Sequence, residues 1–155
     1  MYHRILAAYD GSREGRIALR EAIVLGRRLG AELHLLAVIS NEGGAEVQAR
    51  IYANVLSQHA EFHETILQEA VTLLATKGIE VKAHLVHGDP AIEIPTHAKK
   101  INADLVVVGY RRQNVVDRWW SGPRGAFLSD HLDCSLLIAR NEIGQEDFIK
   151  LLEDR

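Results

Sequence analysis

One cysteine, Cys134, stands in the 155 residues, so no internal disulfide can form and the chain suits a reducing compartment. A surplus of basic charge is also missing. The formal net charge is −3, which argues against a nucleic-acid binder and against a protein held on a membrane surface. No apolar run approaches the length needed to span a bilayer. Met1-Tyr2-His3-Arg4 leads straight into a strand-like segment without a signal-peptide pattern, so the expected location is the cytoplasm. Two nucleotide signatures and a hydrolase signature are lacking. No Gly-Lys-Ser/Thr triplet ends a Walker loop, and Asp10-Gly11-Ser12-Arg13-Glu14-Gly15 lacks the glycine spacing of a dinucleotide fold. There is no Gly-x-Ser-x-Gly elbow. What remains, 47% apolar and 25% charged residues, is the composition of one ordinary globular domain.

Apolar runs alternate with helical patterns along the chain. Arg4 to Tyr9 reads as a buried strand stopped by Asp10-Gly11-Ser12. Ala18, Ala22, Leu25 and Leu29 then recur at helical spacing up to Gly30. Glu32 to Ile39 is a second strand. A long amphipathic helix is expected from about Glu46 to Lys77, and the alternating Ile79 to Val86 predicts a third strand. Asp89 and Pro90 suit the N-cap and first position of the next helix. Asp104 to Val108 is the fourth strand, the most apolar and so expected at the centre of a sheet. A helix over Pro123 to Leu132 leads to a last strand, Ser135 to Ala139. This order predicts a five-stranded open parallel sheet with helices on both faces, an α/β/α sandwich of the nucleotide-binding kind. The domain is expected over residues 1–140. Residues 141–155 form an extension with a short helical stripe of Phe148, Leu151 and Leu152, able to cover this subunit or its mate.

In such sheets a ligand sits beyond the carboxyl ends of the strands, where strand order reverses. Asp10, Val38 and the segment from Gly109 should meet there. Asp10 can accept a hydrogen bond from an exocyclic amine, or it can serve only the turn and the helix behind it. The loop after Gly109 is locally basic, with Arg111, Arg112, Arg118 and Arg124 against Asp117 alone. It closes at Ser121-Gly122-Pro123-Arg124-Gly125, where a helix should start and leave unpaired N–H groups for an anion.

These residues resemble the universal stress protein family. The resemblance runs over about residues 3 to 140. It rests on an apolar first strand into Asp10-Gly11-Ser12, then Gly88-Asp89-Pro90-Ala91, then Ala103 to Gly109, then a last strand after Cys134. It implies a stress-response or regulatory protein, with ATP or a related adenine nucleotide as ligand. Asp10 and Val38 would lie at the base, and Val108, Gly109, Arg112, Gly122, Arg124 and Gly125 would line the phosphate side. The nucleotide-binding signature of that family is Gly, two residues, Gly, nine residues, then Gly-Ser or Gly-Thr. From Gly109 it meets Arg112 in place of the second glycine, Gly122 in its place, and Pro123 in place of the hydroxyl. Arg112 adds a Cβ and a long side chain, and Pro123 has neither N–H nor hydroxyl. Guanidinium groups can grip phosphate in compensation, or Arg112 can fill the cleft itself. A member that has lost nucleotide and acts through protein contacts is therefore the alternative. A cyclic or monophosphate nucleotide is a third reading, because fewer phosphates need fewer donors. The resemblance also implies a homodimer paired through Ser135 to Ala139, an apolar strand with an edge to cover.

Other residues point less sharply. No catalytic set is visible, since Asp117 is the loop's one acid, so a slow ATP hydrolase ranks last. His59 and His63 share a helix face, but two imidazoles fall short of a zinc site, and no metal is expected. Cys134 has no activating neighbour in sequence and reads as a small apolar residue. Trp119 and Trp120 suit packing, stacking on a base, or an interface. Arg13 and Arg16 follow the Asp10 turn at the ligand edge.

Overall fold

The computed structural model describes residues 1–10, 12–39, 64–65, 67–110 and 125–153. Five strands form one sheet: β1 (Arg4–Ala8), β2 (Glu32–Ile39), β3 (Lys82–His87), β4 (Leu105–Gly109) and β5 (Ser135–Ala139). Around it lie α1 (Arg13–Leu29), α2 (helical residues 67–76), α3 (Pro90–Lys100), α4 (Gly125–His131) and α5 (Gln145–Glu153). Every strand pair is parallel, in the order β3-β2-β1-β4-β5. The expected open parallel sheet is therefore present. β1 takes the middle seat, not β4. Both strands have neighbours on each side, so both must be apolar throughout, and apolarity alone does not rank them.

The strands segregate their side chains by period two. Ile5, Ala7, Leu33, Leu35, Leu105 and Val107 enter one buried cluster with Ala18, Ala22 and Ile23 of α1. Leu6, Leu36, Val106 and Val108 enter a second cluster on the opposite face, with Ile94 and Ala98 of α3 and Leu128 of α4. Helices thus cover both faces, and a one-residue slip would exchange the two apolar sets between faces packed against different helices.

Local chemistry sets the ends of α1 and α3. Gly30, at φ 63°, ends α1 in the left-handed conformation, and Ala31 N–H returns to the Gly26 carbonyl at 2.8 Å. Asp89 caps α3 by accepting Ala91 N–H at 2.9 Å, with Pro90 in the first turn. The third strand begins at Lys82, later than the alternation from Ile79 suggested. Ile79 and Val81 pack against the α1-side cluster ahead of the ladder, so the pattern precedes the pairing.

β1 and β4 lie side by side, with Ile5, Leu6 and Ala7 opposite Leu105, Val106 and Val107. Their amino ends are tied by Asp104, whose carboxylate accepts His3 N–H at 2.7 Å and Arg4 N–H at 3.0 Å. Burial acts to raise the Asp104 pKa, but these donations prevail and hold it below the ordinary value. The extension folds onto its own subunit. Arg20 of α1 donates to the Ile143 carbonyl and to Gln145 Oε1, each at 2.6 Å, and lies 5.3 Å from the centre of the Phe148 ring. Leu152 is buried in the α1-side cluster. Among the described residues no helix is long and apolar enough to cross a membrane.

Candidate functional site

The order of strands reverses between β1 and β4: β2 and β3 lie to one side of β1, β4 and β5 to the other. Because the pairing is parallel, the chain leaves β1 toward Asp10 and β4 toward Tyr110 at the same edge of the sheet. A crevice outside the carboxyl ends of such a pair is where open α/β sheets place ligands.

At the β1 exit, Tyr9 N–H extends the ladder to the Leu36 carbonyl at 2.9 Å. Burial pushes the Tyr9 phenol pKa up. Asp10 is exposed, and its Oδ1 accepts the Ser12 N–H at 2.9 Å and also the Ser12 hydroxyl. Ser12 Oγ in turn accepts Gly15 N–H at 3.0 Å, so Ser12 is the N-cap of α1. The cap and the turn are thus divided between two residues: Asp10 orients Ser12, and Ser12 satisfies the helix.

The β4 exit meets the first turn of α1. A Cβ on Gly109 would lie 2.3 Å from the Glu14 carbonyl oxygen and 2.5 Å from its carbonyl carbon. Gly109 is not among the positive-φ residues, so its need is close approach and not an unusual dihedral. Its missing side chain lets α1 settle on the end of β4, beside the Asp10 turn. Val108 is buried and pairs with Ile138, while Val38 is half-buried opposite Val86. Beyond β4, Tyr110 N–H reaches the Ala139 carbonyl at 3.2 Å, and the Arg140 guanidinium sits 3.8 Å from the centre of the Tyr110 ring.

The structure therefore gathers Asp10, Val38, Val108 and Gly109 at one sheet edge, and Gly125 opens α4. Arg112, Gly122 and Arg124, like Arg111, Asp117, Arg118, Trp119 and Trp120, lie outside the described residues, as do His59 and His63. Arg13 does not stay with the turn: it pairs with Glu142 of the extension. Cys134 is half-buried, and burial, with the charges of Asp104 and Asp133, pushes its thiol pKa up, so the nucleophilic thiolate is disfavoured. Among the described residues no group of three or more His, Cys, Asp or Glu side chains could hold a metal.

A further set of titratable side chains lies away from this edge, where Glu32 and His34 of β2 meet His84 of β3 beside His97 of α3. Sequence reading passed over it because these residues come from separate elements. A signal existed: His34 falls on the parity of β2 that carries Leu36 into the core, two residues after Glu32 on the same side.

Known proteins share this architecture. The model of the universal stress protein family matches residues 1–140. A putative universal stress protein of Staphylococcus aureus strain USA300 is 30% identical over 150 residues, 95% of this chain and 89% of that one. The universal stress protein UspA of Lactobacillus plantarum superposes with a TM-score of 0.76 at 24% identity, covering 90% of this chain and 98% of its own. A universal stress protein family protein of Arabidopsis thaliana, solved with AMP bound, superposes with a TM-score of 0.61 at 20% identity, covering 94% and 97%.

Proposed function

The chain belongs to the universal stress protein family, and from that premise we propose that it is a regulatory, stress-response protein that binds an adenine nucleotide at the carboxyl edge of its sheet. The observation that carries this reading is the β1–β4 juncture, which sets the Asp10 turn and Gly109 at one lip of the switch point. In the proposed site Asp10 accepts from the adenine amine and Val38 flanks the ring. Val108, Gly109, Arg112, Gly122, Arg124 and Gly125 form the phosphate side.

The altered signature bears on which nucleotide fits. Pro123 withholds a backbone N–H and a hydroxyl where a polyphosphate would use both. A ligand with one phosphate asks less of the loop, and the Arabidopsis thaliana relative's bound AMP supports that choice. Calorimetric titration with ATP, AMP and cAMP is expected to show saturable binding of at least one. The absence of heat with all three, and of nucleotide in mass spectra of freshly purified protein, would leave the other reading, a family member acting through protein contacts alone.

We also place the protein in the cytoplasm and propose a homodimer through Ser135–Ala139. β5 is at the end of the strand order, and Leu136, Leu137 and Ile138 are half-buried within one subunit. An apolar edge strand of this kind favours pairing with a second copy. Light scattering at tens of micromolar is expected to give the mass of two chains. A single-chain mass would remove the pairing without touching the nucleotide reading.

A further inference from the structure

His34 and His97 are the two buried polar residues of the described core, at 4% and 6% exposure. His34 Nε2 lies 2.6 Å from Glu32 Oε1, and its Nδ1 lies 2.8 Å from His84 Nε2. The His34 and His84 rings stack with centroids 5.1 Å apart, and His97 tilts against His84 at 4.4 Å. His97 Nε2 is buried with no hydrogen-bond partner among the described residues.

The proton positions follow from the acceptor at the end of this chain. Lys82 Nζ donates to Glu32 Oε1 at 2.7 Å; its donation, then that of His34, lowers the Glu32 pKa to about 2. A carboxylate only accepts, so His34 carries its proton on Nε2 and leaves Nδ1 bare. His84 must then donate from Nε2. An added proton on His34 can go only to Nδ1, which obliges His84 to move its own proton to Nδ1; once both rings are protonated, two N–H groups face each other and the bond is lost. An added proton on His97 Nε2 would bury a charge without an acceptor.

We propose that this histidine cluster is an acid-operated latch: proton uptake releases β3 and α3 from β2, while β1, β4 and β5 stay paired. β3 is the segment able to move, because among the described residues it is an edge strand paired only with β2. The surroundings oppose added positive charge. Lys82 of β3, Arg4 of β1 and Lys100 of α3 face the cluster, against Glu32 and, toward His97, Glu93. α4, packed on α3, contributes the exposed Asp130 and His131. Burial is the first cause lowering the pKa of all three histidines: at His34 it outweighs the opposing pull of Glu32, and at His84 the neighbouring histidines and then Lys100 and Lys82 add to it, to about 4.

The sign follows from linkage. An unfolded imidazole takes its proton near 6.5, whereas folded His84 waits until about 4. Between those values the opened state binds more protons, so stability falls as pH falls. The depressed carboxylates Glu32 and Asp104 lose their contribution only below their ordinary values of 4.5 and 3.8. The interval from 6.5 to 4.5 therefore belongs to the histidines.

The latch is independent of the nucleotide reading and is tested without ligand, by amide hydrogen exchange corrected for its intrinsic pH dependence. One histidine gives up to about a tenfold loss of protection per pH unit. Protection in β3 and α3 is expected to drop at least tenfold over the histidine interval, while β4 and β5 hold. The double variant His84→Gln, His97→Leu keeps only His34 of the three and should lose markedly less protection than the parent over the same interval. Unchanged β3 protection, an equal loss across the whole sheet, or a variant that follows the parent would each overturn the latch. Should the variant not fold, imidazole NMR titration of the parent protein decides: all three histidines are expected below 6.5, and His84 titrating at or above that value refutes it.

Discussion

Gly109→Ala is expected to destabilise the protein by about 3 kcal/mol or more and to lower its melting temperature by roughly 10 °C. The added Cβ would meet the Glu14 carbonyl at 2.3 Å and 2.5 Å, closer than such contacts are tolerated. Both opposing atoms are backbone, held in the first turn of α1 by the Ser12 cap. No rotamer change can relieve the clash. The helix must lift from the end of β4, and lifting it pulls on Ala18 and Ala22 in the core beneath. Thermal unfolding monitored by circular dichroism reads the effect.

Three other glycines calibrate the experiment. Gly15→Ala would meet Asp10 Oδ1 at 2.6 Å, a side-chain atom, and should cost less, about 1–2 kcal/mol, by prising Asp10 from Ser12. Gly26→Ala finds its nearest atom at 3.6 Å inside α1 and should stabilise by about 0.5–1 kcal/mol through helix propensity. Gly144→Ala, with nothing nearer than 3.7 Å, should be close to neutral. If Gly109→Ala proves no worse than Gly144→Ala, the packing of α1 on β4 is not the reason for that glycine. The series also bears on the site, because sequence spacing cast Gly109 as a phosphate-cradle residue and the fold supplies a separate cause for it.

How much of this could be read beforehand differs from element to element. β1 and β4 were legible because a strand buried on both faces must be apolar at successive positions, as Ile5, Leu6 and Ala7 are. The start of β3 was not, because Ile79 and Val81 bury themselves under the same cluster as the strand without joining its ladder. The turn after β1 was legible as Asp10-Gly11-Ser12, but the division of labour within it was not. Asp and Ser both favour caps, and only the distances give Ser12 the helix and Asp10 the serine. The histidine cluster was hidden because strand order decides which histidines meet. His34 and His84 approach only because β2 and β3 pair with Leu36 opposite His84. Periodicity assigns a residue to a face; it does not say which strand lies next door.

Asp10→Ala carries the largest functional prediction, because Asp10 has two candidate duties that separate cleanly. Its exposed carboxylate is oriented through Oδ1 by Ser12 N–H and hydroxyl. A carboxylate held in place ahead of binding loses little freedom when it accepts an amine, and a charge-assisted hydrogen bond contributes about 1.5–3 kcal/mol. Asp10→Ala is therefore expected to weaken adenine-nucleotide binding roughly 10- to 150-fold. Ser12→Ala removes the cap and should lower stability by about 1 kcal/mol. It should affect affinity less, since Asp10 still accepts the backbone N–H of residue 12. Asp10→Asn keeps an acceptor for that N–H but loses the charge, so its affinity should fall between the parent and the alanine variant. Calorimetry and thermal unfolding on the same three variants separate the duties. If Asp10→Ala and Ser12→Ala lose stability alike and neither changes affinity, Asp10 serves the turn alone and the base end of the proposed site must be sought elsewhere along the sheet edge.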